Sequence, residues 1–294
     1  MDRARRRRRW SGDPGDVRVR FAVTRAAGRD RLPAPALGLA VVAVAFFTLP
    51  FVGLLWRTPW GDAWGVLSQP AVRQALRLSV VCSLWATGLS LLFGVPLAWL
   101  LARVDFRGRS VVRAMCTLSM VLPPVVGGVA LFFALGRRGL FGQYLDRWFG
   151  VRLPFSTAAV VVAQTFVAMP FLVLTVEGAL RQMDRRYDDA ARTLGASRWY
   201  AFRRVTLPAA RPAVIAGVVL AWARALGEFG ATITFAGNFP GRTRTIPLST
   251  YLALQSSPDE ALILSLLLIA VSFVVLVGLR DRWLGGIRAP AGAG

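Results

Sequence analysis

The run ALGLAVVAVAFFTLPFVGLLW, residues 36–56, contains no charged side chain. About 20 such residues in a helix cross the hydrocarbon core of a bilayer, where every backbone polar group must find its partner within the protein. Comparable stretches recur along the chain. They read as six membrane-crossing helices at Pro35–Trp56, Leu76–Leu101, Ala114–Leu135, Ser156–Val176, Pro208–Gly227 and Ala261–Trp283. The fold class is an all-α polytopic membrane protein. Its expected organisation is a basic cytoplasmic tail over residues 1–34, a first transmembrane helix over 35–57, a transmembrane domain over 75–284 and a short C-terminal tail over 285–294.

The net charge of +21 would point to nucleic acid in a soluble chain. Here arginine gathers in connectors and tails, as cytoplasmic loops of membrane proteins require. No nucleic-acid partner is expected; the lipid bilayer is. With both termini cytoplasmic, the inner segments hold RRRRR at 5–9, then Arg103, Arg107, Arg109 and Arg113, then the 188–212 connector, then Arg280, Arg282 and Arg288. The pentarginine run precedes its apolar segment by too far for a twin-arginine signal and fits a retained tail. One outer loop dissents, carrying Arg137, Arg138, Arg147 and Arg152 against Asp146.

The chain has no His, which excludes His-based metal sites and Ser–His or Cys–His catalysis. It has no Lys, so the phosphate loop G-x-x-x-x-G-K-[ST] is absent. Any ATP-driven work must come from a partner. Cys82 and Cys116 lie within apolar runs without metal spacing and read as packing residues.

The connector DDAARTLGASRWYAFRRVTLPAARP, 188–212, is neither apolar nor simply polar. Ala190, Ala191 and Leu194 share one side of a helix, and Gly195 permits a turn. A second short helix sets Trp199, Phe202 and Val205 on one side and leaves Arg198, Arg203 and Arg204 to water. Pro208 suits the first turn of the next span, and Pro212 bends that span's start. Periodicity alone fits a helix resting on headgroups equally well.

The spacing of particular residues decides between the two. DAARTLG at 189–195, nine further residues, VTLP at 205–208 and Pro212 resemble the EAA loop of binding-protein-dependent ABC importer permeases, with Asp189 for Glu and Val205 for Ile. The resemblance implies a type I ABC importer permease fold with cytoplasmic coupling helices in a bacterial inner membrane. It places Asp189, Ala190, Ala191, Gly195, Leu207, Pro208 and Pro212 in the loop that seats on an ATPase subunit. It further implies two permease copies, two ATPase chains carrying the ATP and Mg, and an extracytoplasmic oxyanion-binding protein, with no cofactor on this chain. The segments Met120–Gly139, Trp148–Gly150 and Ala221–Tyr251 are similar to the molybdate and tungstate branch; sulfate permeases share ALGEFG and are the alternative. An intramembrane hydrolase or a structural membrane protein is the remote alternative, and the hydrolase has no supporting motif.

A tetrahedral dianion needs N–H and hydroxyl donors along its path. Gly230, Thr232 and Thr234 offer close backbone approach and hydroxyls, and so does LPPVVGG, with Pro123, Pro124, Gly127 and Gly128, unless its small residues serve helix packing alone. Glu228 is the odd residue there. Arg224 stands one helical turn before it, and the two form either a structural pair or a gate. The outer arginines either concentrate anions or dock an acidic binding protein.

Overall fold

The computed structural model describes residues 34–184 and 186–284. The expected tails lie outside these residues, Ala34 apart. Residues up to Pro50 form a unit of their own, whose described part belongs to helix α1 (Ala34–Arg57). That helix exposes Leu39, Phe46, Phe47 and Leu49, as a lipid-facing span does.

The second unit starts at Phe51. After the short α2 (Ala63–Leu67) comes α3 (Pro70–Arg103), followed by α4 (Arg109–Val121) and α5 (Pro124–Leu135). Next come α6 (Gly142–Phe149) and α7 (Thr157–Gln182), then the connector with α8 (Arg186–Thr193) and α9 (Arg198–Ala201). A π-helical turn, Phe202–Thr206, leads into α10 (Leu207–Ala209). The remainder is α11 (Arg211–Leu226), α12 (Gly230–Ala236), α13 (Ile246–Ser256) and α14 (Pro258–Leu284). No strand occurs among the described residues.

The centre is α7 flanked by α3 and α11. Small residues let these helices approach closely: Ala86 and Ala98 on α3, Ala168 on α7, Ala221 and Ala225 on α11. A Cβ at Gly94 would lie 3.0 Å from the Leu172 side chain, and one at Gly217 would lie 3.3 Å from Cα of Leu172. Two glycines from neighbouring helices thus bracket one leucine. Packing through small residues is what holds helices together where lipid removes the hydrophobic drive.

The six expected spans map onto α1, α3, α4 with α5, α7, α11 and α14. Four of these, α1, α3, α7 and α14, are long and apolar enough to cross as single helices, and α11 makes a fifth when joined to its bent lead-in. The third span departs from a continuous helix. Leu122 and Pro123 take ψ near 130°, because a proline disfavours helical backbone before it and Pro123 is followed by another. The fifth also departs: Pro212, not Pro208, occupies the first turn of α11, and the chain bends by 75° between Ala209 and Arg211. Neither Pro208 nor Pro212 can donate a backbone hydrogen bond, so the helix cannot run through both. Helices α6, α12 and α13 fill segments that the apolar runs left as loops.

Candidate functional site

The connector forms the shelf its spacing suggested. Helix α8 ends at Gly195, whose φ of +86° is left-handed, and Ala196 N–H donates back to Ala191 O at 3.1 Å. This closes the helix by the Schellman pattern, which favours glycine. Ser197 then caps α9, its Oγ accepting from Tyr200 N–H at 3.2 Å. Ala190 is exposed, Ala191 half-buried, and Leu194 is 88% exposed. Asp189 lines a cavity of about 320 Å³ with Arg192, Arg198 and the α3 residues Trp99 and Arg103.

The second face differs from expectation. Phe202 is buried and its ring lies 5.0 Å from that of Trp99 on α3 and 5.3 Å from that of Trp199. Trp199 itself stays exposed, Val205 is half-buried and Thr206 is buried. The π turn from Phe202 carries one residue more per turn, so the 3.6-residue stripe that joined Phe202 to Val205 is lost after Phe202. Leu207 is half-buried, and Pro208 and Pro212 are exposed.

At the other end of α11 the two motifs expected along the path meet. A Cβ at Gly230 would lie 3.0 Å from Pro124 Cβ and 3.0 Å from Val125 N. One at Gly128 would collide with Thr234 Oγ1 and come within 2.8 Å of Ala231 O. Gly127 faces Phe166 instead, and Pro123 stands before α5 as its cap. Helices α5 and α12 therefore touch through glycine on both sides. Glu228 is buried beneath them: its Oε1 accepts from Ala231 N–H at 2.8 Å, and its Oε2 lies 2.9 Å from Arg224 Nη1. The carboxylate thus faces both a guanidinium and a free amide at the start of α12.

Polar groups without a hydrogen-bond partner among the described residues include Thr232 Oγ1, the Gln164 amide, Trp222 Nε1 and Thr245 Oγ1, all on buried residues. Thr232 was expected to offer a donor; Gln164 and Trp222 were not singled out, though an amide inside an apolar run is a readable signal. Glu177 was missed as well. It is buried and takes Arg113 Nε at 2.8 Å and Arg181 Nε at 3.0 Å, while Arg109 and Arg113 donate to Leu101 O. The expected end of its span at Val176 left it just outside, yet Arg181 four residues on was legible. The coupling and pathway residues are not brought together, since α11, about 24 Å long at 1.5 Å per residue, separates them.

In the loop at the far end, Arg137 and Arg152 both bind Asp146, at 3.0 and 2.9 Å. The Arg152 hydrogen bond, seconded by that of Arg137, holds the Asp146 carboxyl below the usual carboxylate range. A lowered value means the charged cluster persists as acid is added and is lost only as pH falls through that depressed value.

A family model described as the binding-protein-dependent transport system inner membrane component matches residues 94–285. The molybdenum transport system permease protein ModB of Mycobacterium bovis is 47% identical, covering 86% of this chain and 93% of its own length. The sulfate transport system permease protein CysT of Salmonella typhimurium is 35% identical, over 83% and 90%. Among solved structures, a bacterial ABC transporter for the acidic polysaccharide alginate superposes with a TM-score of 0.65 at 19% identity, covering 85% of this chain and 93% of that one.

Proposed function

This chain belongs to the binding-protein-dependent transport system inner membrane component family, and from that premise we propose that its cargo is molybdate, with tungstate taken by the same path. It is a multi-pass permease subunit of an ABC importer and not an enzyme; ATP hydrolysis belongs to a partner ATPase. The observation that carries the substrate reading is the 47% identity to a molybdenum permease, against 35% to a sulfate one.

Two copies of the chain face each other, two ATPase chains holding ATP and Mg seat under the 189–212 shelf, and an oxyanion-binding protein delivers cargo from the other side. The shelf end is cytoplasmic, and both termini lie there. ATPase movement reaches α11 through α8–α10, with Asp189, Ala190 and Ala191 at the contact. The unpartnered donors of Thr232 and Gln164 suit a dianion, which must exchange its hydration shell for N–H and O–H groups. Arg224 neutralises Glu228, which would otherwise repel that cargo.

Radiolabelled molybdate uptake with excess sulfate tests the substrate. Uptake should persist; its abolition by sulfate would transfer the reading to sulfate. Gly195→Leu tests the coupling assignment separately. A left-handed backbone costs a side chain of this kind about 1–2 kcal/mol, and uptake should fall while the chain still inserts. Unchanged uptake with unchanged ATPase stimulation would remove the loop from that role.

A further inference from the structure

The outer-loop helix α6 is built in a way that transport coupling does not explain. Residues 136–142 fold back on the end of α5: Leu140 N–H donates to Phe133 O at 3.1 Å and Phe141 N–H to Ala134 O at 2.8 Å. Three glycines make this possible. A Cβ at Gly139 would stand 2.5 Å from Phe133 O, and one at Gly142 would collide with the carbonyl oxygens of Gly136 and Leu135. Helix α6 is therefore fixed at the point where α5 ends, with no slack between them.

Its two faces differ. Gly142 and the half-buried Asp146 turn inward. Phe141, Tyr144 and Trp148, at i, i+3 and i+7, form one stripe that is 60%, 44% and 70% exposed, with the Tyr144 and Trp148 rings 5.3 Å apart. The exposed apolar surface of α5 reaches Phe133, and it resumes at Leu140, one hydrogen bond away. Asp146 is taken up by Arg137 and Arg152, whereas Arg138 and Arg147 are exposed and have no ion pair among the described residues.

We propose that α6 lies in the headgroup layer of the membrane face opposite the coupling shelf, its aromatic stripe at the acyl boundary and Arg138 and Arg147 on anionic lipid phosphates. The 26 residues of α7 separate the two faces, roughly 39 Å at 1.5 Å per residue. Trp and Tyr settle at headgroup level because one end of each ring is apolar and the other wet, and arginine pairs with phosphate there. A second copy would set this cationic face against itself. A soluble acidic partner would match the arginines but leave an aromatic stripe that starts where a span stops without a reason. This inference needs only that the chain spans a membrane, so its failure and that of the molybdate reading are separable.

The test places a nitroxide at Tyr144→Cys in a C82A/C116A chain, assembled with its ATPase in phosphatidylethanolamine vesicles with and without phosphatidylglycerol. Oxygen collisions should exceed those with a water-soluble nickel chelate, and phosphatidylglycerol should deepen the label. R138Q/R147Q should abolish that lipid dependence, and a label at Gln143, on the helix's other flank, should remain open to nickel. Binding of the ATPase checks that each variant is folded. Nickel collisions dominating at residue 144 would overturn the proposal. So would protection that appears only when the binding protein is added, or dipolar broadening between labels on two copies.

Discussion

A single methyl group distinguishes two glycines of this chain. At Gly128 it would strike Thr234 Oγ1 and the backbone of Ala231, while at Gly178 it would meet nothing within 4 Å. Gly128→Ala should lower stability by about 1–3 kcal/mol, the range for overfilling a packed contact. Gly178→Ala should be neutral or gain up to about 1 kcal/mol from reduced freedom of the unfolded chain. Thermal unfolding in detergent reads both; equal shifts would show that α5 and α12 do not rest on each other. The paired glycines of LPPVVGG were legible as close-approach residues in the sequence. Their partner was not, because Thr234 lies 106 positions on in the chain (234 − 128) and nothing local encodes that meeting. Phe155 makes the same point. It holds a left-handed φ of 61° while its ring contacts Phe132 and Phe239, a strain that only assembled neighbours sustain.

Among the elements, the connector was the most legible, since its glycine, its serine cap and its prolines each act within a few residues of themselves. What escaped was the π turn, whose extra residue leaves no mark in a periodic pattern. The turn matters because Phe202, its first residue, is the bolt between shelf and bundle, buried against Trp99. Phe202→Ala should cost about 3 kcal/mol, at the lower end for emptying a buried aromatic site. The ATPase should still bind, because the exposed residues of α8 are untouched, but more ATP should be spent per molybdate carried. A ratio of hydrolysis to uptake equal to the parent's would show that the tether has no part in coupling. The split third span belongs to this scale too: the proline pair was visible, and its effect on the helix follows from missing N–H groups and steric exclusion.

For the whole molecule, apolar run length laid out the order of the spans, and arginine placement predicts which face is cytoplasmic. The helices between the fifth and sixth spans were hidden, because α12 and α13 are too short to announce themselves by hydropathy. Orientation makes a direct prediction. In intact cells, a membrane-impermeant maleimide should label Arg138→Cys and should reach Arg107→Cys only after permeabilisation, in a chain without its own cysteines. The reverse pattern would invert the assignment of faces.

The 75° elbow between α10 and α11 has a mechanical consequence of its own. Residues 198–209 make one arm of about 18 Å and α11 another of about 24 Å, at 1.5 Å per residue. Rocked about its corner as one rigid piece, it would act as a bell crank, turning a thrust on the short arm into a sideways sweep of the long one. With arms of those lengths, a displacement of about 1 Å at the tip of the short arm would become about 1.3 Å at the far end of α11, near Glu228.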